Sequence, residues 1–131
     1  MELRKDNDTA TLANGVGKRL SWQVIELTAE RLRVTAEPNR IALLEALNAC
    51  GEASVQELAD HIGAPHQKAS KHLAVLYGAG MVSRRRGEGT TVLYTLVDWT
   101  GWWVVEQIAR WVQSGLEGEE SDQAAGEESA A

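Results

Sequence analysis

The chain has 131 residues, 44% hydrophobic and 24% charged, proportions that suit one globular domain and exclude a multidomain enzyme. Its apolar runs last only a few residues and residues 1–20 alternate charge with polarity, so neither a membrane span nor a secretory signal is expected. A single cysteine, Cys50, fits a reducing cytoplasm, the expected location. The net charge of −6 argues at first against a nucleic-acid partner. All of it, however, falls after residue 115, in Glu117, Glu119, Glu120, Asp122, Glu127 and Glu128. Within the neutral remainder, residues 65–97 hold Lys68, Lys71, Arg84, Arg85 and Arg86 against Glu88 alone, a local excess of four positive charges.

Residues 1–19 are polar and broken by Asn14, Gly15 and Gly17, which predicts a flexible N-terminal arm. From Ser21, the recurrence of Trp22, Ile25, Ala29 and Leu32 predicts an amphipathic helix to about Val34. Pro38 suits the first position of a helix, and Ile41, Leu44 and Leu47 carry the period toward Gly51, giving a second helix over about 38–49. Ser54 and Glu57 form a capping-box pattern that starts a short third helix ending at Gly63. Pro65 opens a fourth, with Ala69, Leu73 and Leu76 inward and His66, Gln67, Ser70 and Lys71 opposite. Two helices joined by a short turn containing Gly63 make a helix-turn-helix.

Beyond Gly80, β-favouring Met81–Ser83 and Thr91–Val97 flank Arg84, Arg85, Arg86, Gly87, Glu88 and Gly89. This predicts a two-stranded β-hairpin with an arginine-rich tip, a wing over 84–90. Helical spacing returns from Trp99 to about Gly115, and residues 116–131 are too poor in apolar side chains to offset ordering entropy, so a disordered acidic tail is expected. The fold class is mainly α, a winged helix-turn-helix in the order α-α-α-α-β-β-α.

The run from Glu57 to Ile62, through Ser70-Lys71-His72-Leu73 to Ala79-Gly80-Met81-Val82, closely resembles the ArsR/SmtB-type winged-helix repressors. Glu37-Pro38-Asn39-Arg40-Ile41 is similar to the start of that family's second helix, and Arg86-Gly87 with Tyr94 to its wing. The resemblance covers residues 20–115. It implies a DNA-binding and dimerisation domain, hence a homodimeric regulator of transcription, expected to repress, whose first and last helices form the dimer interface. A regulator of the MarR type is the nearest alternative fold, against which the short body after the wing argues.

The family's metal-ligand positions fall at Ser54, Gln56 and Ala59 on the third helix and at Asp98, Thr100, Trp111 and Ser114 on the last. Asp98 alone is a ligand type, and one oxygen donor cannot build a four-coordinate zinc site. His61 and His66, near Glu57 and Asp60, are separated by Gly63 and Pro65 and share no helical face with each other. Neither a metal nor a cofactor is expected.

On the fourth helix, over 65–78, His66, Gln67, Ser70 and Lys71 form the face expected in the major groove of double-stranded DNA, with Lys68 and His72 at its flanks. Arg84, Arg85 and Arg86 are expected on phosphates or in the minor groove. Strand alternation means that either Arg84 and Arg86 together or Arg85 alone faces the duplex. The dimer set is Trp22, Ile25, Trp99, Trp102, Val105, Ala109 and Val112, since large aromatic and apolar groups anchor buried interfaces. Trp103, whose helical neighbours are polar, stands apart from it, and the clustered indoles suggest a small-molecule effector site of unidentified chemistry. No nucleophile with its base and no phosphate-cradling loop is visible, so an enzyme is not expected. The rival reading is a winged-helix interaction module whose basic face meets an acidic partner protein. The acidic tail either keeps the chain in solution or competes with DNA for the basic face.

Overall fold

Short-range caps start each of the first three helices. The computed structural model describes residues 18–130, with side chains described to residue 126, so residues 1–17 of the expected arm lie outside it. The Ser21 hydroxyl accepts from the Val24 N–H at 3.2 Å and begins α1 (Trp22–Thr35). The Glu37 carboxylate accepts from the Arg40 N–H at 2.9 Å and begins α2 (Pro38–Cys50), with Pro38 in its first turn. A short strand, β1 (Glu52–Ser54), leads into α3 (Val55–Ile62). There the capping box closes in both directions: the Glu57 N–H donates to the Ser54 hydroxyl at 3.1 Å and the Ser54 N–H to the Glu57 carboxylate at 3.0 Å. Gly63, at φ 69°, supplies the left-handed residue that ends α3.

Pro65 precedes α4 (His66–Gly78) and gives it no side-chain cap. Strands β2 (Val82–Arg86) and β3 (Val92–Leu96) follow, then α5 (Trp99–Ala130). The sheet has three antiparallel strands in the order β1-β3-β2, with Tyr94 of β3 opposite Ala53 on one side and Arg84 on the other. Leu43, Leu44 and Leu47 of α2, Leu58 of α3, Leu73 and Leu76 of α4, and Met81 are fully buried, and Tyr94 and Leu96 close the core from the sheet. The mainly helical winged helix-turn-helix read from the sequence is the architecture observed.

Three details differ. β1 is too short, at three residues, to leave a periodic signal, yet it doubles the pairing of β3. The three arginines lie within β2 rather than at the hairpin tip, which is the turn Gly87–Thr91, closed by the Gly87 N–H donating to the Thr91 carbonyl at 2.8 Å, with Gly89 at φ 64°. Where residues 116–131 were expected to be disordered, α5 continues to Ala130. Glu, Gln and Ala are strong helix formers, and extending a helix already nucleated by packing costs far less than starting one. Among the described residues no helix is long and apolar enough to cross a membrane.

Leu73 is fully buried and central to the packing of α4. Leu73→Ala should destabilise the fold by about 2–5 kcal/mol, measured by urea unfolding at fixed protein concentration.

Candidate nucleic-acid interface

Because Ala69, Leu73 and Leu76 are buried, α4 turns Gln67, Lys71 and Ala74 outward at i, i+4 and i+7. Lys68 is exposed beside this ridge, and Ser70 is half-buried on the other side. Ala74 was not singled out by sequence, since a small apolar residue carries no chemical signal, but its methyl is at the surface where a thymine methyl could meet it. His66 begins the helix and is tied to α3: its Nδ1 lies 3.0 Å from the Gln56 Oε1, while the Gln56 amide donates to Asp60 at 2.8 Å.

His72 points away from the ridge. Its Nδ1 is 3.3 Å from the Arg40 Nη1 and 3.7 Å from the Glu37 carboxylate. Arg40 in turn donates from Nε to the Val34 carbonyl at 2.6 Å, joining α4 to the end of α1. Burial raises the Glu37 pKa, but the Arg40 and Asn39 hydrogen bonds and the nearby His72 outweigh it and hold the carboxyl below its ordinary value.

The three wing arginines meet three different surroundings. Arg85 grips Glu52 on β1 through two bonds, Nε to Oε2 at 2.7 Å and Nη2 to Oε1 at 2.6 Å. Arg84, on the opposite face of β2, stacks over the Tyr77 ring at 4.0 Å from its centroid. Arg86, two residues along the same face as Arg84, is exposed. Lys68, Lys71 and Arg86 have no carboxylate within ion-pair distance among the described residues. Arg84 and Arg86 thus share a face turned toward α4, and Arg85 does not.

The family's metal positions do not fit a metal in this chain. Asp98 caps α5, accepting from the Gly101 N–H at 2.9 Å, and pairs with Arg31 of α1 at 3.1 Å. A Cβ at position 101 would lie 2.5 Å from the Asp98 carboxylate, so glycine there makes room for this cap. Among the described residues no three His, Cys, Asp or Glu side chains come together in a way that could hold a metal ion.

Away from α4, apolar groups of α1 and α5 remain open. Val24, Leu27, Leu32, Ile108, Val112 and Leu116 are all 45% exposed or more. Leu32, Ile108, Val112 and Leu116 line an apolar groove of about 580 Å³ between α1, α2 and α5, and Val24 and Leu27 line a second beside it. Of the expected dimer set, Ala109 and Val112 lie in the first groove, whereas Trp22 and Ile25 line a separate one on α1. Trp102 is buried in the protomer's own core, and Val105, also largely buried, lines both the first groove and the second. Trp99 and Trp103 are exposed and line none of these three grooves.

Residues 35–85 match the family described as Helix-turn-helix domain. The HTH-type transcriptional regulator KmtR of Mycobacterium tuberculosis is 43% identical over 70 residues, 53% of this chain and 52% of that protein, so the chain spans about half the length of that relative. The uncharacterized HTH-type transcriptional regulator MJ1325 of Methanocaldococcus jannaschii is 34% identical over 73 residues, covering 56% of this chain and 81% of that one. The homodimeric winged helix-turn-helix DNA-binding domain of Mb0332 from Mycobacterium bovis, described as a possible ArsR-family transcriptional regulator, superposes with a TM-score of 0.62 at 26% identity, over 73% of this chain and 87% of that one.

The Glu52–Arg85 pair makes the wing's attachment to β1 sensitive to acid. The Arg85 hydrogen bonds hold the Glu52 carboxyl below its ordinary pKa of 4.5, against a smaller opposing effect of burial. A carboxyl that ionises more readily folded than unfolded stabilises fully above its unfolded pKa and loses that contribution as pH falls through the folded one. Carboxyl NMR titration should show Glu52 protonating below the ordinary glutamate range, with Arg85→Gln moving it back up.

Proposed function

Since the chain belongs to the ArsR/SmtB family of winged-helix transcriptional regulators, we propose that it is a sequence-specific double-stranded DNA-binding regulator that acts as a homodimer and represses by occluding a promoter. The observation that carries this reading is the exposed ridge of α4, Gln67 and Lys71 flanked by Lys68, with Arg86 beyond it on the wing. Gln67 would read a base edge in the major groove, where an amide pairs with adenine through two bonds. Lys68, Lys71 and Arg86 would neutralise phosphates and fix the register. His66 and Ser70 stand at the edges of the ridge, and His72 supports α4 from behind, through Arg40, rather than meeting DNA.

Dimerisation supplies the second reading head. A two-fold pair places two α4 helices about 34 Å apart, one turn of the duplex, which requires a near-palindromic operator. The homodimeric Mb0332 neighbour supports this assembly, as does the open apolar seam of Leu27, Leu32, Ile108, Val112 and Leu116. Such a seam on an isolated protomer exceeds the scattered apolar exposure usual on a monomer surface. Ile108→Glu should convert the protein to a monomer in sedimentation velocity and abolish tight operator binding while leaving the helical signal intact.

The DNA reading is tested by selecting bound duplexes from a random library and titrating the selected site over a range of salt. Three phosphate contacts in each protomer should give a slope of log K on log salt of about −5. Gln67→Ala should cost about 1–3 kcal/mol on the selected duplex and much less on random DNA. Equal affinity for selected and random duplexes, or an affinity that salt leaves unchanged, would overturn the reading in favour of an acidic protein partner.

A further inference from the structure

Three consecutive arginines in β2 invite the reading that all of them serve as DNA contacts. Their surroundings divide them. Arg85 is held by Glu52 through two short bonds, on the face of the sheet away from α4. Arg84 lies directly opposite the buried Tyr94 in the β2–β3 register, and its guanidinium stacks 4.0 Å above the Tyr77 ring. Tyr77 belongs to the last turn of α4, and Ala79 to Met81 separate that helix from the wing, with Gly80 among them. The Gly80 and Met81 N–H groups donate to the Tyr77 and Leu76 carbonyls at 3.0 Å and Met81 is fully buried, so this connection holds the base of the wing, and the arginine stack lies farther out along β2.

We propose that Arg84 is a positioning residue: it clamps the wing to the end of α4 through Tyr77 and Tyr94, so that Arg86 is left as the wing's contact with the phosphates. This rests on the DNA reading above and deepens it. A stacked planar guanidinium holds orientation in a way a solvated ammonium does not, and Arg84 sits where α4, β2 and β3 meet. Arg86 lies on the same face two residues farther toward the tip, with no aromatic or acidic partner among the described residues. The clamp therefore converts alternation along one strand into a division between an arginine that holds the wing and an arginine that the wing presents.

The test compares full-length Arg84→Met, Arg84→Lys, Tyr77→Leu, Tyr77→Phe and Arg86→Met on the selected duplex across a salt series, and follows backbone hydrogen exchange of the free proteins. Arg84→Met, Arg84→Lys and Tyr77→Leu should each weaken binding about two- to five-fold at one salt concentration, the effect expected for loss of an exposed stack. The two variants that remove the stack without reaching Arg86, Arg84→Met and Tyr77→Leu, should leave the salt slope within about 0.3 of the parent. Tyr77→Phe keeps the ring and should bind as the parent does. Arg86→Met should lower the slope by about 0.9 for each protomer. In the free protein, exchange should quicken across the last turn of α4 and along β2 in Arg84→Met and Tyr77→Leu, and stay unchanged in Arg86→Met. A slope loss in Arg84→Met equal to that of Arg86→Met, or unaltered exchange in it, overturns the proposal. If the parent protein binds no duplex, the DNA reading fails, and the exchange measurement decides the clamp by itself.

Discussion

Ala69, Leu73 and Leu76 bury one stripe of α4 against α2 and α3, and that burial determines which side chains α4 can offer outward. A helix whose inward stripe is fully desolvated cannot rotate without exposing leucine, so Gln67 and Lys71 are held outward by the cost of moving Leu73. The rest of the interface is arranged around this fixed rotation. His66 is drawn to Gln56 on α3, His72 to Arg40 on α2, and Tyr77 to Arg84 on the wing. Each of these polar links joins α4 to a different element, so its position is set along its whole length although Pro65 gives its N-terminus no side-chain cap.

Charge is distributed by the same logic. The basic residues of the domain divide into those neutralised inside the fold and those left without a partner. Arg31 is paired with Asp98, Arg85 with Glu52 and Arg110 with Glu106, so none of these brings a free charge to a ligand. Of the bases with no carboxylate partner among the described residues, Lys68, Lys71, Arg84 and Arg86 gather on α4 and the adjoining strand, Arg40 is bonded to the Val34 carbonyl, and Lys18, Arg19 and Arg33 lie in or just before α1. An exposed pair adds little to stability. The pairing of Arg85 instead removes one charge from the wing's far face, which sharpens the field on the side toward α4.

Much of this was legible in the residues alone. Periodicity placed the helices, the Ser54-Glu57 box and Gly63 placed the helix-turn-helix, and the buried stripe of α4 followed from Ala69, Leu73 and Leu76. What was not legible lies in contacts between residues far apart in the chain. β1 has no pattern of its own and exists because Ala53 finds Tyr94. Alternation along β2 offered Arg84 with Arg86 or Arg85 alone, and Glu52 and Tyr77, neither adjacent in sequence, distinguish the surroundings of the three. Trp102 and Val105 have the apolar character of interface anchors, yet both are largely buried in the protomer, and Val105 alone of the two lines the apolar grooves. The helix rotation that turns them inward is set by packing on the core rather than by their own chemistry.

The two ends of α5 carry opposite physical characters, and their boundary bears on assembly. Val104, Ile108, Val112 and Leu116 follow one another at helical spacing, and the last three of them are at least half exposed. Beyond Leu116 the helix holds no large apolar side chain, and its charged groups are all acids. Burial against a second copy can therefore stabilise α5 as far as Leu116 and no farther. Past that point, repulsion among Glu117, Glu119, Glu120 and Asp122 opposes close approach of a like helix. The net charge of the chain thus resides in a segment whose composition adds nothing to an apolar seam, while a separate cluster of unpaired cations sits on α4 and the wing. A protein whose summed charge is negative keeps a cationic surface because the two charges occupy different elements of the fold.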